Sequence, residues 1–199
     1  MGCLTDELSA DIAIDCDNLA IAGIEEDILL IPHDQRDTVA TTFDPTNPNI
    51  MTALVLKAGS TGYLLEGVKQ INGFNSEFVK GDSQTLNKHR HGIRGRILSP
   101  SAANRNQYDK LAAGKPYVAV VNKKYKGADS EDAFLVLGWE SGIYLQTGTE
   151  SSYENSGAIV LEMKSDDDQL ENKSPKTLLE TDYDTTLTAF NNKFAVAEA

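Results

Sequence analysis

The stretch from Lys69 to Gly114 constrains the fold most, because it predicts a long two-stranded hairpin followed by a capped helix. The hairpin covers residues 69–98, with the strands Lys69–Lys80 (KQINGFNSEFVK) and Thr85–Leu98 (TLNKHRHGIRGRIL) joined by a turn at 81–84. Successive strand side chains point to opposite faces. The second strand therefore presents its even-numbered cations on one face: Lys88, Arg90, Arg94 and Arg96. Its other face carries His89, His91, Ile93 and Ile97.

The helix that follows is predicted over residues 100–113. Ser99 suits the N-cap, and Pro100 suits the first helical position because its fixed φ and missing N–H are tolerated there. Gly114 is placed as a C-terminal stop, with Pro116 just beyond it. Together with the predicted strands, this helix indicates a mainly β domain with one helix packed on one side.

The hairpin is unusual for a monomer, because its first strand alternates only weakly between apolar and polar residues. One face has Phe74 and Phe78 among polar side chains, and neither face is apolar enough to cover a core along its whole length. An isolated two-stranded ribbon is marginally stable in water. We therefore expect pairing between subunits, which removes the free edges.

The cationic face has two interpretations. The cations lie about 6.6–6.8 Å apart for each two-residue step along the strand, so they could follow an acidic partner, either nucleic-acid phosphate or the acidic surface of a neighbouring subunit. Alternatively they form a solvated strand face with local partners. The first strand and turn offer only Glu77 and Asp82 as acids, so neutralisation within the hairpin is incomplete. We predict inter-subunit contacts at the cations and the two phenylalanines: Lys88, Arg90, Arg94, Arg96, Phe74 and Phe78.

Residues 1–35 are predicted to form an acidic N-terminal arm with short strands. They contain nine Asp or Glu residues and no Lys or Arg. Short strands are predicted at Ile12–Ile14, Leu19–Ile21 and Asp27–Ile31. This segment is either a solvated part of the chain's own sheet or a segment that pairs with the sheet edge of a neighbour.

The remaining chain divides into a β-rich core at 36–165, which includes the hairpin and the helix, and a polar C-terminal tail at 166–199 of the same domain. Met51–Lys57 and Gly62–Glu66 predict a second hairpin. Later strands are predicted at Tyr117–Lys123, Ala133–Trp139, Ile143–Gln146 and Gly157–Met163. Trp139 is expected to be a buried structural residue next to a turn, and the tail is expected to hold a short helix that begins after Asp184 and uses Leu187, Phe190 and Phe194. The fold class is mainly β (α+β), a β-sandwich or half-barrel with a long hairpin and one flanking α-helix.

Composition and motifs favour a structural role over catalysis. The 199 residues carry a net charge of −12, whereas proteins whose main task is binding duplex nucleic acid are usually basic. Phosphate-binding, dinucleotide-binding, zinc-protease and nucleophile-elbow motifs are absent from the sequence. Cys3 and Cys16 are either two reduced thiols or a disulfide that ties the arm. We expect no catalytic residue, no cofactor, no metal site and no membrane partner.

The order and character of the elements resemble the major tail tube proteins of tailed bacteriophages. The resemblance spans about Ile12 to Leu179 and depends on the hairpin, the capped helix, the run Phe134–Tyr144 (FLVLGWESGIY), the strand Gly157–Met163 and the acidic tail that contains a proline. It implies a virion structural protein of the phage tail, assembled in the host cytoplasm. Its subunits would form hexameric rings that stack into a tube, contact other tail or neck proteins, and let viral DNA pass through.

This resemblance also implies long hairpins that line a commonly acidic channel. The cations at Lys88–Arg96 depart from that pattern, so a subunit interface that faces an acidic arm fits them better. Two other functions stay open: a nucleic-acid-binding structural module that uses Lys88–Arg96, or another virion component of the head or neck. A hydrolase site assembled from scattered Asp and His is a third hypothesis.

Overall fold

The computed structural model describes residues 8, 10–68, 71–82 and 85–197 of the chain. Two short 3-10 turns lie at His33–Gln35 and Ala128–Ser130. The helices are α1 (Ala102–Leu111) and α2 (Tyr183–Asn191). The strands are β1 (Ile24–Pro32), β2 (Thr42–Phe43), β3 (Ile50–Ala53), β4 (Tyr63–Leu65), β5 (Gly73–Val79), β6 (Lys88–Ile97), β7 (Tyr117–Lys123), β8 (Phe134–Leu137), β9 (Tyr144–Glu150), β10 (Ile159–Lys164) and β11 (Lys176–Leu178).

The strands form two sheets that pack face to face. The larger sheet has seven strands in the order β2-β3-β11-β8-β7-β1-β4, and the smaller has four in the order β5-β6-β10-β9. All pairs are antiparallel except β3 with β11. With 36% strand and 14% helix, the chain is mainly β, as predicted.

A hydrophobic core fills the space between the two sheets. The larger sheet contributes residues such as Ile28 and Leu135. The smaller sheet contributes Ile93, Leu161 and Met163, which are fully buried. These three occupy alternate positions on neighbouring strands, as a period of two requires. Helix α1 closes one side of this core with Tyr108 and Leu111, so the prediction that the helix flanks the sheets is confirmed.

A second core lies on the opposite face of the larger sheet. Phe190 of α2 and Phe194 just beyond it pack there against Phe134, and Leu187 lies at its margin. The prediction of a tail helix that uses these residues is confirmed. Because the larger sheet is covered on both faces, the strand β1 buries four consecutive side chains, Ile28–Ile31, each no more than 4% exposed. This explains the unbroken apolar run of that strand.

The predicted hairpin is present as β5 and β6, which pair antiparallel from Gly73 with Arg94 to Val79 with Lys88. However, the expectation that the hairpin is an isolated ribbon completed by other subunits is wrong for β6. Strand β10 of the same chain pairs with its second edge, from Ile97 to Gly92. Only the β5 edge of the hairpin is left open. Residues 69, 70, 83 and 84 of the predicted hairpin lie outside the described residues.

The second predicted hairpin is wrong. Strands β3 and β4 both exist, but β3 pairs with β2 and β11, and β4 pairs with β1 at the far end of the larger sheet. Two of these partners, β11 of β3 and β1 of β4, are distant in sequence, whereas the four-residue link that suggested a hairpin is only a local signal.

The N-terminal segment differs from its prediction. Of the three short strands predicted there, Asp27–Ile31 lies within β1, in the larger sheet between β7 and β4. Residues 12–14 and 19–21 are not strands; they belong to an exposed stretch that we call the N-terminal arm (residues 10–23). Cys16 is a free, exposed thiol in this arm, whereas Cys3 lies outside the described residues, as does any pairing between the two.

Both helices begin at a different cap than predicted. The Ser101 hydroxyl, not that of Ser99, accepts the N–H of Asn104 at 3.2 Å, so Pro100 precedes the helix. In α2 the cap is Asp182 instead of Asp184, and its carboxylate accepts the N–H of Thr185 at 2.7 Å. Each new cap lies two residues from the predicted one and is a residue type that serves the same function.

Candidate interface on the smaller sheet

The outward face of the smaller sheet carries the predicted cations. Strand β6 runs without a register shift against both neighbours, so its side chains alternate strictly between the two faces. The odd-numbered His91 and Ile93 are buried toward the larger sheet. Lys88, Arg90, Arg94 and Arg96 therefore share the opposite face, which is turned toward solvent.

Two of these cations have local partners. The guanidinium of Arg90 forms an ion pair of 3.2 Å with Glu77, its cross-strand neighbour on β5, and a second ion pair with Asp167. The ammonium of Lys88 donates a hydrogen bond to the side-chain oxygen of Asn172. The half of the face near the hairpin turn is thus partly neutralised within the subunit.

The other two cations keep their charge available. Within the described part of the chain, neither Arg94 nor Arg96 forms an ion pair. Arg94 lies opposite Glu162 on β10 and opposite Gly73 on β5. A Cβ at Gly73 would meet no atom within 4 Å, so the outward face of the sheet is open at this position beside Arg94. Guanidinium groups in such a position suit carboxylate or phosphate.

The two phenylalanines lie on the inward face, opposite the cations. Phe74 pairs with Ile93 and is partly buried against the core between the sheets. Phe78 pairs with His89, and their rings meet edge to face at 5.9 Å. Phe78 is 57% exposed, because it lies beyond the end of the core. The structure thus brings the cations together, whereas the phenylalanines belong to the other face.

Below this face, His91 links the smaller sheet to the loop after β8. The backbone N–H of Gly138 donates to Nδ1 of His91 at 3.1 Å. The pKa of His91 is lowered to about 4, mainly by burial and also by the charges of His89 and Lys176, against a backbone hydrogen bond with Lys173 that raises it. The ring is therefore neutral near pH 7, with its proton on Nε2.

A buried carboxylate, Glu171, organises the same loop. Its two oxygens accept the backbone N–H groups of Glu140 and Ser141 at 2.8 Å each, and that of Gly142 at 3.2 Å. The backbone of Glu171 also exchanges two hydrogen bonds with His89. Burial raises the pKa of Glu171 although the three N–H groups favour its charged form.

Sequence reasoning missed Glu171, because it lies in a polar stretch about thirty residues from the loop it caps. The only available signal was the pair of glycines that bracket the loop. Gly138 and Gly142 adopt φ values of +72° and +90°, which turn successive N–H groups toward one point. That pattern predicts an acceptor without saying which residue supplies it.

Trp139 lies in this loop and is 8% exposed, so the expectation of a buried structural tryptophan is confirmed. Its ring packs edge to face on Phe43, and the guanidinium of Arg36 lies 5.0 Å from its centroid. Nearby, a shallow depression of about 370 Å³ is lined by both acids and cations, among them Asp34, Arg36 and Lys57. Their charges offset one another, so the depression favours no class of ligand.

In the part of the chain that the structure describes, no three His, Cys, Asp or Glu side chains come together in a way that could hold a metal ion. Neither described helix is long and apolar enough to cross a membrane.

The geometry therefore singles out the outward face and the open edge of β5 as the candidate interface. It carries two guanidinium groups that form no ion pair with the described residues, above a buried polar network. Comparisons of the chain with protein-family models, with curated proteins and with solved structures find no match.

Proposed function

We propose that this chain is a self-assembling structural subunit, and specifically one of the stacked-ring tube of a tailed bacteriophage. The observation that carries the proposal is the N-terminal arm, whose large apolar side chains do not pack on the subunit that bears them. Ile12, Ile14, Leu19 and Ile21 are between 59% and 87% exposed. Exposed apolar residues grouped in this way mark an interaction surface.

Open sheet edges supply a place for such a segment. The smaller sheet ends in β5 and β9, each seven residues long. An edge of this length presents unpaired backbone groups that can accept another strand. An exposed arm and open edges in one chain are complementary features, and repeated copies can use them to build a closed or stacked assembly.

The narrower assignment to a tail tube is supported by the agreement of architecture with the resemblance described above. Both have two packed sheets, a long hairpin and a flanking helix. In this role the chain acts by geometry, with no catalytic residue or cofactor. Its partners are further copies of itself, neighbouring tail or neck proteins, and the viral DNA that passes through the tube.

The test is the assembly state of the purified full-length chain. We expect rings or tubes by negative-stain electron microscopy, and a molar mass that rises with concentration by light scattering. A single species with the mass of one chain across a broad concentration range would overturn the proposal of self-assembly. Large assemblies without a ring or tube shape would support self-assembly but overturn the tail-tube assignment.

A second function, nucleic-acid binding, is favoured by one observation. Arg94 and Arg96 point to solvent without an ion pair within the described residues, and arginine binds phosphate well. Binding of this kind would weaken with salt, and removing one cation that touches phosphate would reduce the slope of log K against log salt by about one unit. Titration of labelled DNA and RNA at low salt tests it, and absence of binding there would remove this candidate.

A further inference from the structure

Strand β5 forms an open edge of the smaller sheet. Residues 75–78 of this strand are exposed, and the smaller sheet ends at β5. Strands that pair with such an edge gain affinity from main-chain hydrogen bonds, and the alternating side chains supply specificity. A partner strand must therefore match the side chains that β5 presents on its two faces.

The two faces differ at this edge. Toward the larger sheet, β5 presents Phe74 and Phe78, and Phe78 is 57% exposed. Toward solvent, Gly73 leaves the way open to the guanidinium of Arg94. The complementary strand is therefore apolar at alternate positions on one side and acidic on the other.

The first part of the N-terminal arm has this alternation. In residues 10–15 (ADIAID), Ile12 and Ile14 occupy even positions, and Asp11 and Asp15 occupy odd ones. Both isoleucines are more than 80% exposed. A turn closes the segment, since the side chain of Asn18 donates to the carboxylate of Asp15 at 2.7 Å. The segment is thus almost as long as β5 itself.

We propose that residues 10–15 of one copy add as a strand to the β5 edge of a second copy. In an antiparallel register with Asp15 opposite Gly73, Ile14 lies opposite Phe74, and Ile12 lies opposite Ser76 and diagonal to both phenylalanines. Asp15 then lies on the face of Arg94, and Asp11 lies opposite Glu77, whose carboxylate is already paired with Arg90. This inference rests on the proposed self-assembly and specifies its contact. A strand added at this edge lies two strand spacings, about 9.5 Å, from β6, which a carboxylate and an extended arginine side chain together can span across Gly73.

The other edge of the smaller sheet, β9, fits this arm less well. Its inward face is already covered by α1, because the Tyr108 ring packs directly over Gly148. Its end carries Glu150, which is paired with Arg105 of the same helix at 2.5 Å. An acidic, apolar strand finds neither an uncovered aromatic side chain nor an unpaired arginine there.

Chemical cross-linking of the full-length chain tests the pairing. Cys3→Ser and Cys16→Ser remove the native thiols, and Ala13→Cys with Asn75→Cys places one thiol on the arm and one on β5, both on the acidic side of the proposed strand pair. A short bismaleimide should then produce a ladder of multimers on a denaturing gel. The matched control carries Ala13→Cys with Thr147→Cys on β9, and each single-cysteine variant controls for contacts between two arms or two edges.

Each outcome decides the proposal. A ladder with the β5 pair, absent from the β9 pair, supports it. A ladder only with the β9 pair, or a cross-linked product with the mass of one chain, overturns it. If the chain assembles by light scattering but neither pair gives a ladder, the inference fails while the proposed function stands. If the chain stays monomeric, both fail.

A second set of variants removes the dependence on cross-linking geometry. Ile12→Asp with Ile14→Asp should raise the concentration needed for assembly by about tenfold or more, which corresponds to at least 1.4 kcal/mol. Val39→Asp with Tyr153→Asp is the matched control, since these exposed side chains (92% and 88%) lie outside the arm, and it should leave that concentration nearly unchanged. Equal effects of both variants would show that residues 10–15 are not a specific docking strand.

Discussion

The backbone N–H of Gly138 donates a hydrogen bond to Nδ1 of His91 at 3.1 Å, and this bond joins β6, an inner strand of the smaller sheet, to the loop after β8. It requires the neutral ring, because a protonated imidazole has no acceptor nitrogen. Acid should therefore loosen the contact between the two sheets at this point.

The first prediction concerns stability in acid. The pKa of His91 is lowered by burial to about 4 from 6.5, so between these values the unfolded chain binds more protons than the folded one. The contribution of His91 is present above pH 6.5 and is lost toward pH 4, at a cost of about 3 kcal/mol. Glu171 acts in the opposite direction, since its raised pKa favours the folded chain as pH falls.

Urea unfolding of the wild-type chain and of His91→Gln, followed from pH 8 to pH 4, isolates this contribution. The variant should lose less stability across pH 6.5 to 4, whatever its stability at pH 8. Parallel curves for the two chains over that range would mean that His91 does not carry the effect.

The second prediction concerns the buried carboxylate of Glu171. Glu171→Ala leaves three N–H groups of the loop without their acceptor, and we expect a loss of about 3 kcal/mol in the free energy of unfolding. Glu171→Gln should lose less, because its amide oxygen still accepts at one position. Glu154→Ala, at an exposed site, should change stability by less than about 0.5 kcal/mol. The stability of all three variants is measured by the urea concentration at the midpoint of unfolding, provided that the dependence of the free energy of unfolding on urea is unchanged.

The third prediction concerns Asn72, which ties the two sheets together. Its amide nitrogen donates to the carbonyl of Glu26 on β1 at 2.9 Å, and its oxygen accepts the N–H of Arg96 on β6 at 3.2 Å. Asn72→Asp places an oxygen against the Glu26 carbonyl, so thermal unfolding should show a loss of about 2 kcal/mol or more, no smaller than for Asn72→Ala. Asn75→Asp, exposed on β5, is the control. An aspartate at position 72 that leaves the midpoint unchanged would contradict this role.

The fourth prediction concerns the unpaired cations. Reversing Arg94 and Arg96 to Glu should impair assembly, because both lie on the outward face without an internal ion pair in the described part of the chain. Circular dichroism should report an unchanged fold, while sedimentation velocity should report smaller species. Arg105→Glu with Lys110→Glu, on α1, is the charge-matched control. Normal assembly of the Arg94 and Arg96 variant would mean that the cationic face of β6 is only a solvated face.

Local patterns in the sequence predict much of this fold. The strand Tyr117–Lys123 is found as predicted, and the even positions of β6 do share a face. The apolar residues of the tail helix are those that pack on the larger sheet. Such features depend on side-chain periodicity and burial, which a short window of residues contains.

Which strands pair with one another is harder to predict from the sequence. The link between the predicted strands, residues 58–61, has the length of a hairpin loop, yet β3 and β4 each pair with partners elsewhere in the larger sheet. Pairing of β6 with β10, and capping of the 140–142 loop by Glu171, likewise join distant segments. In each case the deciding free energy comes from contacts that form only when the sheets have assembled. The helix caps were wrong for a smaller reason, since in each helix a second residue of the same type, Ser101 or Asp182, lies two positions from the predicted cap.

Burial of β1 on both faces has a consequence for how the chain acquires its structure. Ile28–Ile31 is made early in synthesis, but the central partner of this strand is β7, where Ile28 pairs with Val121. During translation an unpaired run of four branched aliphatic side chains must therefore wait until more than half of the chain has been made. Such non-local pairing slows folding and exposes a nascent chain to aggregation. Shielding of this strand until β7 is available, for example by a chaperone, should therefore raise the yield of folded protein.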